Sequence, residues 1–270
     1  GHVHKVAGAS NFGPSATYGS LRQSNCTSCE IQDDKSAYWT PQLYYKHVNG
    51  TFEEVPNQSM AVYYLGRGQN RDQIIPLPPG FRMLSGNSLQ RSFDSTTKTY
   101  KDSRFLAERV SFACLDAAPS REQPYMWNMQ CSNGLRAQVH FQTCWDGVNL
   151  YKDDQSHVAY MSGIDNGVCP PTHPKLLPHI FFKVLYGVNE ISKDAGGQFV
   201  FANGDATGYS FHGDFMNGWD PAVLQATVKD CLNTDNAGDI DTCPSVAKSH
   251  KKNTRQICPE RPRLVAEVVK

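Results

Sequence analysis

The sequence lacks several features that would each define a class of protein. It has no run of about 18 apolar residues, the least that crosses a bilayer as a helix, so no membrane span is expected. It has no net charge, with 26 Lys and Arg set against 26 Asp and Glu, and without a basic field nucleic acid is not an expected partner. It has no internal repeat, no low-complexity tract and no linker flanked by a change of composition, which points to one domain. A single β-rich domain is read over 1–247. The basic stretch "KSHKKNTRQICPERPR" belongs to a C-terminal extension, 248–270, tied down by Cys258. There is no secretory leader either, and "GHVHK" reads as a processed or truncated start.

What is present is cysteine. A chain of 270 residues buries enough core to fold without staples, yet Cys26, Cys29, Cys114, Cys131, Cys144, Cys169, Cys231, Cys243 and Cys258 are spread along it. That usage implies a disulfide framework formed in an oxidising compartment. The odd count leaves one thiol free or paired with a segment upstream, and the connectivity stays open. Glycosylation sequons at Asn25, Asn49 and Asn57 agree with an extracellular or cell-wall setting.

Short aromatic and β-branched segments separated by turn residues predict strands, among them "AYWTPQLYY", "MAVYYLG", "RVSFACL", "LRAQVHFQTC" and "IFFKVLYGV". Leu135, Ala137, Val139 and Phe141 alternate with polar neighbours, the pattern of a strand with one buried face. Asn49-Gly50 marks a hairpin. One helix is predicted after Asp220, an N-cap followed by Pro221 at the first helical position. The expected fold is mainly β: a single-domain β-sandwich or jelly-roll, disulfide-stapled, with long loops and a few short helices.

Several clusters carry chemistry. In "GHVHK", His2 and His4 lie two apart, so an extended chain turns both imidazoles to one side, where they can chelate one divalent ion. A third ligand would come from His157, His212, Asp205 or Asp214. "CTSC" (26–29) resembles half a zinc site but has no second pair at zinc spacing, so both cysteines are expected in disulfides to distant partners. "IQDDKSAYWTPQLYY" places Asp34 and Lys35 ahead of Trp39 and Tyr44, and aromatics beside acids suit sugar binding. Trp145-Asp146 ends one strand and His157 begins the next, which allows an acid/base couple. "GDATGYSFHGDFMNGWD" (204–220) gathers Asp205, His212 and Asp214 among glycines. Its apolar content is aromatic and its glycines free the backbone, so it is not expected to be a core strand; on an extended segment His212 and Asp214 share a face, and Asp205 can fold back across the turn toward them.

The strings "HVHKVAGASNF", "CTSCEIQDDKSAYWTPQLYY", "GLRAQVHFQTCWDGVNL", "CPPTHPKLLPHIFF" and "FANGDATGYSFHGDFMNGWD" give the chain a resemblance. It resembles a fungal secreted family known as domain of unknown function nineteen-ninety-six, whose members are sometimes followed by a WSC cell-wall module. The resemblance implies a fungal, extracellular, cell-wall setting and transfers no activity. The leading expectation is a glycoside hydrolase acting on fungal cell-wall or plant glycans. Asp205 and Asp214 form the carboxylate pair, supported by His212, His157 and His4. Trp39, Tyr44, Trp145, Tyr209 and Trp219 are the sugar platforms, with Asp34, Lys35 and Asp146 beside them. That reading needs no cofactor and expects a monomer whose partner is polysaccharide. One alternative is a non-catalytic cell-wall carbohydrate-binding protein. Another is a metal-dependent hydrolase or oxidase built on His2 and His4.

Overall fold

The computed structural model describes residues 1–116, 121–126, 131–232, 240–252, 254 and 258. In chain order its strands are β1 (His4–Gly8), β2 (Ala37–Pro41), β3 (Leu43–Lys46), β4 (Phe52–Glu54), β5 (Asn57–Leu65), β6 (Arg82–Gly86) and β7 (Val110–Cys114). They continue as β8 (Leu135–His140), β9 (Cys144–Trp145), β10 (Val158–Ala159), β11 (Lys175–Leu176), β12 (His179–Tyr186), β13 (Gln198–Phe201) and β14 (His212–Met216). Two four-stranded sheets, ordered β1-β2-β14-β6 and β5-β12-β8-β7, dominate, and two three-stranded sheets, β13-β3-β4 and β10-β9-β11, flank them. The mainly β expectation holds. The helices are short: α1 (Tyr18–Arg22), α2 (Pro221–Asp230) and α3 (Pro244–Ala247), and no described helix is long and apolar enough to cross a membrane.

The core lies between the two four-stranded sheets. Leu135, Ala137, Val139 and Phe141 are buried, as their alternation predicts. Against them comes the inner face of the first sheet, where the ring of Tyr38 meets Phe182 at 5.7 Å and Phe215 at 5.5 Å. The approach is closest at Gly213. A β-carbon there would stand 2.9 Å from Val139 and 3.0 Å from Phe141 and Phe182, inside van der Waals contact. This corrects the expectation that 204–220 holds no core strand. Residues 212–216 form β14, an inner strand paired with both β2 and β6, and its glycine is the place where the opposing sheet packs down. The glycines before it do turn the chain: Gly204 and Gly208 have φ of +79° and +93°, a region open to glycine at little cost.

Local signals elsewhere fold as they read. The Asn49-Gly50 turn joins β3 to β4, with Gly50 at φ +86° and His47 N–H bonded to the Thr51 carbonyl. Asp220 caps α2 by accepting from the Ala222 and Val223 N–H groups, and Leu224, Thr227 and Val228 face inward. Four disulfides form, Cys26–Cys258, Cys114–Cys131, Cys144–Cys169 and Cys231–Cys243. Cys29 keeps a free thiol, so only Cys26 of "CTSC" reaches a distant partner. In the C-terminal extension, the Gln32 N–H bonds the Ser249 carbonyl and the Lys251 N–H bonds the Glu30 carbonyl. Most of the segment 248–270 lies outside the described residues. Asn25 and Asn49 are exposed, while Asn57, at the start of β5, is half-buried.

Candidate metal centre

Directly paired residues on neighbouring antiparallel strands share a sheet face. Across the first sheet Val6 pairs with Trp39, Trp39 with Asp214, and Asp214 with Leu84. The outer face, turned away from the core, therefore carries His4 beside Val6, Trp39 on β2, and His212 and Asp214 on β14. His2 precedes β1 by one more alternation and adds its imidazole to the same side. The spacing of His2 and His4 thus works as the sequence suggests, and the third histidine is His212. His2 Nε2 lies 3.0 Å and His4 Nε2 3.1 Å from His212 Nε2.

The protons on these rings decide what the cluster can hold. His4 Nδ1 lies 3.0 Å from the His2 carbonyl, and His212 Nδ1 lies 2.8 Å from the Ser210 carbonyl. A carbonyl only accepts, so each Nδ1 carries the hydrogen and each Nε2 presents a lone pair. Burial, helped by the neighbouring imidazoles, pushes His4 down to about 3, and burial brings His212 to about 4. Both rings are neutral near pH 7. His2 can donate one hydrogen to His212 Nε2, but the 3.1 Å contact between His4 Nε2 and His212 Nε2 then still sets two acceptor nitrogens against each other with no hydrogen between them, and they repel. A cation at the meeting point turns that repulsion into ligation. Zinc–imidazole bonds of about 2.0–2.1 Å ask the nitrogens to spread by only a few tenths of an ångström.

Asp214 stands beside the three rings. Its Oδ2 stands 4.0 Å from His4 Nε2, is buried, and has no hydrogen-bond partner among the described residues. Burial raises the carboxyl to about 7. A buried carboxyl oxygen without a partner is costly, and a divalent ion held by the imidazoles would offset that cost. The donor set of three neutral imidazoles with one carboxylate nearby fits zinc and other first-row divalent ions. The side chains of His4 and Asp214 keep 22% and 14% of their surface exposed, so the cluster is reachable from solvent.

A second group, His140, Asp165 and His179, also brings three ligand atoms together, but its protons settle differently. His140 Nδ1 lies 3.0 Å from His179 Nε2, and His179 Nδ1 lies 2.7 Å from the Thr143 hydroxyl. A hydroxyl donates or accepts, so hydrogens can run along this chain with no lone pairs opposed. The Arg67 guanidinium, 3.4 Å from Asp165, supplies positive charge already. No cation is needed there.

Other residues singled out in the sequence serve elsewhere. Asp205 is fully buried, and its carboxylate accepts from Thr207 N–H and hydroxyl at 2.8 and 2.6 Å and from Gly208 and Ser210 N–H at 3.1 and 2.9 Å. Burial pushes its carboxyl up, but the Thr207 and Ser210 bonds outweigh this and hold it below the usual range. Asp205 therefore braces the turn rather than pairing with Asp214. Because Ser210 also receives the His212 Nδ1 hydrogen, Asp205 positions a ligand from behind. Asp205→Asn turns a donor toward the Gly208 and Ser210 N–H groups. It is expected to weaken metal affinity by roughly 10- to 100-fold, read by calorimetric titration, and equal affinity would refute this role.

His157 is fully buried, with Nε2 donating to the Arg82 carbonyl at 2.8 Å, and it is no acid/base group at the cluster. Trp145 is buried against Phe81 with its N–H on the Asn149 carbonyl, so it is core rather than platform. Asp146 accepts from Val148 and Asn149 and braces its turn. Lys35 donates to the Arg22 and Ser24 carbonyls, which fixes a loop. Trp219 and Asp34 are buried and line a cavity described below. Tyr44 is half-buried on β3 beside Phe52, and Tyr209 is half-buried beside Tyr125. Of the expected platforms, Trp39 alone is placed opposite Asp214, with its ring on Phe12 at 4.6 Å.

The fold and the site define a disulfide-bonded, mainly β protein that gathers three histidines on the outer face of one sheet. The chain belongs to the family described as domain of unknown function (DUF1996), whose profile matches residues 1–219. No match is found among curated proteins or among solved structures.

Proposed function

We propose that the protein is a secreted metal-dependent hydrolase that cleaves an acyl bond, an ester or amide, on a polysaccharide. The observation that carries this reading is the opposed lone pairs of His4 and His212, with His2 beside them, next to a carboxyl oxygen that lacks a partner. A divalent ion held there supplies Lewis acidity and makes water a better nucleophile near neutral pH. Asp214 is the group within reach to take a proton from that water and return it to the leaving group. A glycosidase of the usual kind needs two free carboxyl groups flanking the bond, and Asp205 is already committed to its turn. A single base beside a metal suits attack on a carbonyl instead. The Trp39–Phe12 pair next to Asp214 supports a sugar-bearing substrate, since ring faces stack on the C–H surfaces of sugars. The four disulfides and the sequons at Asn25 and Asn49 support secretion.

The test is reconstitution. Protein stripped by a chelator and reloaded with zinc, cobalt, manganese or copper is assayed on acetylated xylan, acetylated chitin oligomers and 4-nitrophenyl acetate. Acetate release that disappears with the metal and returns with it is the expected result. Release by the stripped protein at the full rate, or from no substrate under any metal, would sink the proposal.

A further inference from the structure

A cavity of about 850 Å³ lies at the edge of the sandwich where β1 approaches β5, with α2 and the segment around α3 as its other walls. None of His2, His4, His212 and Asp214 lines it. Its walls are apolar for most of their extent, with Ile31, Met60, Val62, Leu224, Leu232 and Val246 facing in. Its size and lining are those of a small-molecule site, which typically holds about 300–1,000 Å³ and a few convergent polar groups. Two disulfides secure the wall, since Cys231, Cys243 and Cys258 all line it.

Four of the lining residues, Trp219, Tyr64, Tyr38 and Asp34, form one hydrogen-bonded chain, and its direction is fixed. Trp219 Nε1–H donates to the Tyr64 hydroxyl at 2.9 Å. Tyr38 donates to Asp34, so the Tyr38–Tyr64 contact at 2.7 Å has Tyr64 as donor. Asp34 also accepts from the Ser36 N–H at 2.9 Å and from the Cys29 thiol. Every N–H, O–H and S–H in this chain thus points along it toward Asp34. What the chain can still offer a ligand is lone pairs on the tyrosine oxygens. An acceptor-only head group, a carboxylate or phosphate, finds no donor on this chain of groups and meets the buried Asp34, and the lining lysine, Lys5, lies on β1 outside it.

From this arrangement we infer that the cavity binds a neutral lipid alcohol, a sterol or long-chain alcohol whose hydroxyl donates to the half-buried Tyr64 and whose hydrocarbon body fills the apolar walls. This inference is independent of the metal centre. A site built to pair a hydroxyl discriminates strongly against an analogue that cannot make the bond.

The test uses the full chain and compounds matched in their apolar body: dehydroergosterol and its acetate, and 1-hexadecanol and palmitate. Binding is followed by energy transfer from tryptophan to dehydroergosterol and by displacement of that probe. Saturable micromolar binding of dehydroergosterol is expected, with its acetate and palmitate at least about tenfold weaker than the matching alcohols, the loss of one good hydrogen bond. Displacement by 1-hexadecanol shows that the alcohol rather than the sterol skeleton is recognised, whereas its failure with dehydroergosterol bound assigns a sterol. Met60→Trp fills the cavity and should abolish binding while leaving the metal response intact. Tyr64→Phe keeps the cavity and should remove the preference for alcohol over acetate. No saturable binding of either alcohol, palmitate binding as tight as 1-hexadecanol, or an unchanged preference in Tyr64→Phe would each overturn the inference.

Discussion

His212→Ala is expected to remove most of the protein's response to divalent metal. Saturating zinc should raise the melting temperature of the wild-type chain by roughly 10 °C. A ligand at about a thousand times its Kd adds about 4 kcal/mol to stability, and each kcal/mol shifts the midpoint by about 2–4 °C for a chain of this size. Removing a partner of a metal ligand costs about 10- to 100-fold in affinity, so removing the ligand itself should cost roughly 100-fold or more. In His212→Ala, and equally in His4→Ala, the zinc-induced shift should fall to about a third of the wild-type value or less, since zinc at about ten times Kd adds only about 1.4 kcal/mol. His47→Ala is the control, since that histidine is engaged with Glu53 and Asp194 on another sheet. Asp214→Asn separates binding from chemistry: it should retain most of the thermal shift while losing roughly 10²- to 10⁴-fold in kcat, the range for removal of a general acid or base. A wild-type melting temperature indifferent to zinc, copper, cobalt and manganese would remove the centre altogether.

How much of this was legible in the sequence follows from range. Features set by a few neighbouring residues were readable: the alternation of β8, the Asn49-Gly50 hairpin, the Asp220-Pro221 cap and the facing pair His2 and His4. His212 was visible as a candidate ligand but not as the chosen one. It reaches His2 only through pairing across 210 positions, from β1 to β2 and from β2 to β14. Strand β14 itself was hidden because "HGDFM" has weak β-propensity. Its glycine is there for the aromatic side chains of the opposite sheet, which no local pattern announces. The same limit explains Trp145 and Trp219: an aromatic beside an acid looks alike in a sugar site and in a core. Asp205 misled for a further reason. A carboxylate bracing a turn among glycines and threonines has the composition of an active-site loop, and only its four hydrogen bonds tell them apart.

Acid should unfold the protein earlier than its carboxylates alone require, because its buried histidines resist protonation, His4 and His212 among them, and His140 with His179 is the pair that isolates the effect from the metal centre. Burial holds His140 down to about 4, and burial together with His140 and Arg67 holds His179 well below its ordinary value. In the unfolded chain both return to about 6.5. A depressed histidine favours the fold while it stays neutral, above pH 6.5. As pH falls from 6.5 toward 4 the unfolded state takes up protons that the folded state refuses, so stability declines across that window. For His140 the full effect is roughly 3 kcal/mol at about 1.4 kcal/mol per pKa unit. The measurement is a series of urea melts from pH 7 to pH 4 in the presence of chelator, so that metal release does not contribute. In His140→Phe, whose ring keeps the stack on Phe181 that His140 makes at 4.0 Å, the decline should be shallower by up to one proton's worth of slope. The variant starts from lower stability, because His179 Nε2 loses its partner, but the slope rather than the starting value carries the result. Parallel curves for the two proteins would show that His140 takes up its proton as readily in the fold as in the unfolded chain.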